Sequence, residues 1–172
     1  MSAAPISITA PLVDEREDVC RLCFSADVPI SRHDNHPNQI DPLTGRIRLE
    51  EISWEDLSSK GFSLQRRHLY SLEKAIREAE RRDNAKSEKL SVNAGYKLAG
   101  VLIVRVARIN EILHEGVKAF SVYATPQPGD PGHAEIRVGA HCRKHDLLKF
   151  RIALQTALGS MREPDCIDGA TK

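Results

Sequence analysis

The stretch GDPGHAEIRVGAHCRKHD, residues 129–146, holds three of the seven histidines and one of the four cysteines, a density that invites a chemical reading. His133 and Glu135 stand at the His-x-Glu spacing with which zinc-dependent deaminases supply a metal ligand and a proton shuttle. That chemistry also needs a downstream Pro-Cys-x-x-Cys, because the metal requires two further soft ligands. Here Ala140, His141, Cys142, Arg143, Lys144 and His145 come only a few residues on, without the proline or a second cysteine. Deamination is therefore not expected. Ala134, Ile136 and Val138 form an apolar set of period two, so His133, Glu135 and Arg137 project from the other face of a strand. The plain reading is a half-exposed strand whose outer face alternates His, Glu and Arg for solubility. The sharper one is a metal or acid-base pair, since same-face neighbours on a strand stand roughly 7 Å apart and need only a third group to complete a site.

The third group has an obvious source. SADVPISRHDNHPNQIDPLTGR, residues 25–46, is dense in Pro, Asp, Asn and Gly and reads as a long loop. Loops of that length inside a compact domain usually carry function or are disordered, which singles out Arg32, His33, Asp34 and His36. Arg66, Arg67 and His68, with Arg46 and Arg48, offer guanidinium groups suited to bidentate capture of phosphate, against a plain reading as the charged edge of a sheet. Cys20 and Cys23, with Cys142 and His145, could form a closed zinc site that staples the N-terminus to the last helix. The plain reading of Cys20 and Cys23, flanked by Val19, Leu22 and Phe24, is two small buried hydrophobes. No phosphate-cradling glycine pattern, nucleophile elbow or triad spacing is present, and no cofactor is called for.

These candidates need elements to position them. DEREDVCRLCF, residues 14–24, reads as a short helix or the approach to a strand. Phe62, Leu64 and Arg66 alternate after Gly61 as a short strand would. Ser71 caps a helix over 72–84, with Leu72, Ala75, Ile76 and Ala79 as its buried stripe, and RDNAKSEK continues as a solvated connection. AGVLIVRVARI, residues 99–109, is the most hydrophobic run and suits a central strand. VKAFSVYATP alternates Phe120, Val122 and Ala124, PQPGDPG turns the chain, and GHAEIRVG returns. Asp146 caps a last helix over 147–161, whose stripe is Leu147, Phe150, Leu154, Ala157 and Leu158.

The bulk numbers narrow the functional classes. A chain of 172 residues suits one core, and 41% hydrophobic with 28% charged residues is ordinary for a soluble globular protein. Net charge +1 provides no field to gather polyanions, and 5% aromatics gives few stacking platforms, so nucleic acid is not the expected partner. No basic-then-apolar leader and no long apolar window are seen, so no membrane is expected and the cytoplasm is the default compartment.

The segments SRHDNHPNQIDPLTGRI, KGFSLQRRHLY and PQPGDPGHAEI together resemble a loosely defined group of small uncharacterised bacterial proteins. These share an early His-Pro loop, a Gly-Phe-Ser strand with Arg after it, and a late Pro-rich turn ending in His-Ala-Glu-Ile. The resemblance spans about 25–137 and implies no known activity.

The expectation is one α+β domain over 13–162, with flexible termini at 1–12 and 163–172: a small, mostly antiparallel sheet with two amphipathic helices packed on one face. Functionally it reads as a binding or accessory module for a small ligand or a protein, its site formed by Arg32, His33, His36, Arg66, Arg67, His133 and Glu135. The rivals are a hydrolase or transferase centred on His and Glu, acting on a nucleotide or phosphoester, and a structural protein-interaction domain. The sequence names no catalytic residue.

Overall fold

The computed structural model describes residues 9–30 and 36–169. In chain order it runs β1 (Asp18–Ser25), β2 (Phe62–Arg66), α1 (Leu72–Leu90), β3 (Lys97–Arg105), α2 (Val106–Asn110), β4 (Leu113–His114), β5 (Val117–Lys118), β6 (Phe120–Ala124), β7 (His133–Val138) and α3 (Leu147–Leu158). Five strands form one antiparallel sheet in the order β3-β1-β2-β7-β6, and β4 and β5 form a small separate hairpin. The α+β class and the antiparallel sheet agree with the expectation.

The placement of the strands does not. β1, read as a short helix or the approach to a strand, is an interior strand paired with both β3 and β2, whereas β3, read as central, lies at the end of the sheet. β3 tolerates its hydrophobicity there because its free edge is covered by a later segment: Val101 and Arg162 exchange backbone hydrogen bonds of 2.9 and 2.8 Å. Gly100 makes this approach possible, since a Cβ at that position would lie 2.5 Å from the Arg162 carbonyl oxygen. The apolar run also changes form before its end. Val106 and Ile109, both buried, are three apart on α2 rather than on a strand.

The two long helices lie on opposite faces of the sheet, not on one. Val19, Cys23, Leu102 and Val104 share a core with Phe62, Leu64, Ala134, Ile136, Phe120 and Val122, and with Phe150, Leu154 and Leu158 of α3. Cys20 and Val101 share a second core with Ala75 of α1 and with Leu22, Tyr70, Leu72, Leu98 and Ile103. β1 and β3 are apolar on both sides, and a strand of that kind needs a cover on each.

α1 extends to Leu90, beyond the expected end at 84. The charged continuation stays helical because no Gly or Pro interrupts it, because Ser91 ends it in the left-handed conformation only after Leu90, and because its side chains hold the segment that leads into β3. The Asp83 carboxylate accepts from the Tyr96 backbone N–H at 2.7 Å, and the Ser87 hydroxyl from that of Ala94 at 2.9 Å. Ser71 caps the helix as expected, its hydroxyl accepting from the Lys74 N–H. α3 stops at Leu158, short of 161, where Gly159 adopts φ +72°. Asp146 precedes α3 without capping it through its side chain.

The folded body also reaches past the expected 13–162. Pro11 accepts a hydrogen bond from the Ala124 backbone N–H, and Leu12 bridges to Tyr123 at the edge of β6. Ile167 is core, and the carbonyls of Cys166 and Ile167 accept from the Arg67 guanidinium.

The α3 stripe should dominate stability on its face. Leu154 is 0% exposed and Ile152, two residues earlier, is 49% exposed. Leu154→Ala is expected to cost about 2–5 kcal/mol and Ile152→Ala less than about 0.5 kcal/mol in urea unfolding. Equal losses would contradict this packing.

Candidate functional site

The face beneath α1 is divided. Register places Cys20 beside Ile103 on one side and Gln65 on the other, Gln65 beside His133, and Ser63 beside Glu135, with Tyr123 and Ser121 opposite Glu135 and Arg137. Since side chains alternate, this face is apolar across β3 and β1 and polar across β2, β7 and β6. α1 seats its buried residues on the apolar half. Beside it opens a cleft of about 520 Å³, lined by the floor residues Cys20, Ser63, Gln65 and His133, by Tyr70, by Glu78, Arg81 and Arg82 of α1, and by Gln127 and Asp130 of the turn before β7.

Near that floor the ladder between β1 and β2 covers only Val19 with Arg66 and Cys20 with Gln65. Further along, Ser25 of β1 bridges Asn38 instead, and side chains bond backbone groups of both strands: Arg21 Nη1 donates to the Ser63 carbonyl at 2.8 Å, and Gln39 Oε1 accepts from the Phe24 N–H at 3.1 Å. The Arg21 guanidinium lies 4.0 Å over the Phe62 ring, and burial pushes its pKa down from the ordinary value. Gln39 and Arg21 both line the cleft.

His133 is 7% exposed. Its Nδ1 lies 3.0 Å from the Thr125 carbonyl oxygen and 2.9 Å from the Thr125 hydroxyl. A carbonyl can only accept, so this contact is satisfied with a proton on Nδ1; in the neutral ring that tautomer leaves the lone pair on Nε2. Gln65 Nε2 donates to Asp130 Oδ2 at 2.8 Å. The carboxylate accepts only, which sets the orientation of the amide and turns Gln65 Oε1 away from Asp130. Gln65 Oε1 and Asp130 Oδ1 are both buried and have no hydrogen-bond partner. Burial, reinforced by the Asp130 charge, pushes the Tyr70 phenol up to about 12, so at neutral pH it is a hydroxyl donor. On the opposite wall Glu78 accepts from Arg81 and Arg82, and its carboxyl is held below the usual range, first by Arg81. Arg82 also lies 4.5 Å over the Phe24 ring.

The expected site residues disperse. Arg32 and His33 lie outside the described residues. His36 is exposed, and its carbonyl accepts from the Ile30 N–H. It lies beyond the Ser25 end of β1, while His133 is level with Cys20 through Gln65. Five residues of strand separate Cys20 from Ser25, about 16 Å at ~3.3 Å per residue, so the structure does not bring His36 to His133. Arg66 is held by Glu17 through two hydrogen bonds of 2.7 and 2.9 Å. Arg67 is half-buried against the 166–167 carbonyls and lies 3.6 Å from Asp18. Glu135 is 9% exposed rather than half-exposed: its Oε2 accepts from Arg137 Nε at 3.1 Å and Nη2 at 2.8 Å, while Arg137 Nη1 donates to the Ser59 carbonyl. Gly61, at φ +91°, makes room for this pair, since a Cβ there would lie 2.3 Å from the Glu135 carboxylate. Glu135 therefore pins the 53–61 turn to β7.

The proposed zinc set does not assemble. Cys20 and Cys23 belong to separate cores on opposite faces of β1. Cys142 is buried under the Ala119 carbonyl, and the exposed His145 ring lies 3.1 Å from Asp146. Among the described residues no group of three or more His, Cys, Asp or Glu side chains is placed to hold a metal ion. The sequence reading missed Tyr70, Gln65, Asp130, Arg81 and Arg82. One signal was available: in FSLQR the polar Ser63 and Gln65 alternate with buried Phe62 and Leu64, which marks a second, polar face on β2.

No family of known proteins, no curated protein and no solved structure matches the chain. Among the described residues no helix is long and apolar enough to cross a membrane.

Burial pushes the thiols of Cys20 and Cys23 from 9.0 up to about 12. In the folded chain they stay protonated to that point, while in the unfolded chain they ionise from 9.0. Their contribution to stability is whole below that value and is lost as pH rises through about 12. The urea midpoint is therefore expected to fall between about pH 7 and about pH 10, and a rise would contradict the burial. A thiol reagent applied to the native chain is expected to label Cys166 alone.

Proposed function

We propose that the chain is a binding module for a small polar molecule, held in the cleft between α1 and the polar half of the sheet. One observation carries this reading: Gln65 and Asp130 both line an open cleft, and one side-chain oxygen of each, Gln65 Oε1 and Asp130 Oδ1, is buried without a partner within the protein. A buried acceptor left unpaired costs roughly 1–3 kcal/mol, and such groups are tolerated where a ligand supplies the missing donor. The cleft volume falls within the range of small-molecule sites. The lining is mainly polar, with apolar contributions from Leu22, Phe24 and Pro128, which suits a polar ligand.

A hydrolase or transferase built on His133 and Glu135 has less support. The two share a face, but the Glu135 carboxylate is taken by Arg137 and the His133 Nδ1 by Thr125, so neither orients the other. His133 enters the present proposal as an acceptor.

Backbone proton–nitrogen correlation spectra of the full chain, titrated with a set of small polar metabolites, test the location. Shifts are expected to concentrate at Cys20, Gln65, Tyr70, Arg81, Asp130 and His133. A set in which every shifting residue lies away from the cleft, or in which none shifts, would overturn the reading.

A further inference from the structure

The antiparallel pairing of the sheet breaks in its interior. Leu22 lies opposite Val101 of β3, but Val101 turns its own N–H and C=O outward to Arg162. Residues opposite one another on antiparallel strands direct their backbone groups either both together or both apart. The Leu22 groups therefore face β2. The ladder to β2 ends at Cys20 with Gln65, one rung before Leu22 would meet Ser63. The oxygen that would close that rung is occupied, because the Ser63 carbonyl accepts from Arg21 Nη1 instead. Two residues further on, the Phe24 N–H is taken by Gln39. The Leu22 N–H is thus left between two satisfied neighbours, with no acceptor among the described residues.

An interior strand N–H without an acceptor is rare, and this one has a cation beside it. The Arg21 guanidinium is anchored on the oxygen that the ladder would give to Leu22. Ser63 is its only hydrogen-bond partner among the described residues, and no carboxylate lies within ion-pair distance of it. Glu51 and Asp56 act on it from beyond that distance, and Arg82 opposes them. The cleft reaches this point. The Arg21 side chain lies over the Phe62 ring and that of Leu64 in the core on the α3 side, yet both residues line a cleft that opens on the α1 side. A cleft does so by entering between β1 and β2, and the half-buried Leu22 lines it too. Arg81 and Arg82 add to the lining, so that three guanidinium groups stand around it against two carboxylates, Glu78 and Asp130.

We infer that this break is an oxyanion site: the ligand of the cleft carries a carboxylate or phosphate whose oxygens accept from the Leu22 N–H and the Arg21 guanidinium, filling the missing rung. The inference rests on the cleft being the binding site and names the group by which its ligand is held. Hydrogen bonds from a main-chain N–H and a guanidinium to an anion are charge-assisted and short. An anion also compensates a half-buried charge that the protein leaves without an ion pair. A neutral acceptor would fill the rung but leave Arg21 unmatched, and a cation would meet two donors.

Amide hydrogen exchange and proton–nitrogen correlation spectra of the full chain test this, with sodium phosphate, sodium acetate and sodium chloride at matched ionic strength as probes. In the free chain the Leu22 amide is expected to exchange at least about tenfold faster than those of Cys20 and Phe24. Phosphate or acetate, but not chloride, is expected to move the Leu22 amide proton downfield and to slow its exchange; the tighter of the two identifies the group. Arg21→Gln is expected to weaken that binding by at least about tenfold. The exchange comparison in the wild-type chain needs no variant and holds even if Arg21→Gln misfolds. Equal protection of Leu22, Cys20 and Phe24 in the free chain, or a Leu22 amide unmoved by both anions, would overturn the inference. Shifts at Gln65, Tyr70 and Asp130 in the metabolite titration would then still leave the cleft as a binding site, whereas their absence would remove both.

Discussion

One face of a sheet cannot be covered by one helix when half of that face is polar. This constraint organises the molecule. β3 and β1 carry apolar side chains on both sides, so they demand a helix on each, and α3 and α1 supply them. β2, β7 and β6 are apolar on the α3 side only. On the other side they present Ser63, Gln65, His133, Glu135 and Arg137, groups that an amphipathic helix could cover only by burying unpaired polar atoms. α1 therefore sits to one side, and its boundary with the polar strands becomes a cleft. The site is thus a consequence of how the core was divided.

The polar half is itself of two kinds. Glu135 and Arg137 satisfy one another and fasten the 53–61 turn through the Ser59 carbonyl, in the space left by Gly61. Their burial is compensated within the protein. Two strand positions away, His133 is compensated on Nδ1 only, and Gln65 and Asp130 satisfy one another through one atom each. The polar face thus divides into a structural clasp and a set of buried acceptors that are only partly satisfied. Buried polar atoms without a partner mark the cleft only together with its opening, since Glu51 Oε1 is equally buried and unpaired and Glu51 does not line it.

Much of the local structure was legible. Ser71 announced its cap, Phe120, Val122 and Ala124 their strand, and PQPGDPG its turn. What alternation could not reveal was β1, because Val19, Cys20, Cys23 and Phe24 are buried on both faces and show no period of two. Nor could composition distinguish a central strand from an end strand whose edge is covered by Arg162, far along the chain; only the backbone pairing of Val101 does so. Cys20 and Cys23 have the spacing of neighbouring ligands, although a strand sends them to opposite sides. The same limit applies to the site. His133 was legible as a polar strand residue, but Gln65, Asp130 and Arg81 come together only through register and the seat of α1. The density of His and Arg in the sequence points instead to Arg66 and Arg67, whose guanidinium groups bind Glu17 and the Cys166 and Ile167 carbonyls. Charge density is a poor guide where ion pairs build the scaffold.

The most direct test of this account is the electron density in the cleft of a crystal of the full chain. The account predicts an open space beside α1, with a bound water or ligand donating hydrogen bonds to Gln65 Oε1 and Asp130 Oδ1. Closure of α1 onto β2 and β7, with protein N–H or O–H groups paired to both oxygens, would contradict it.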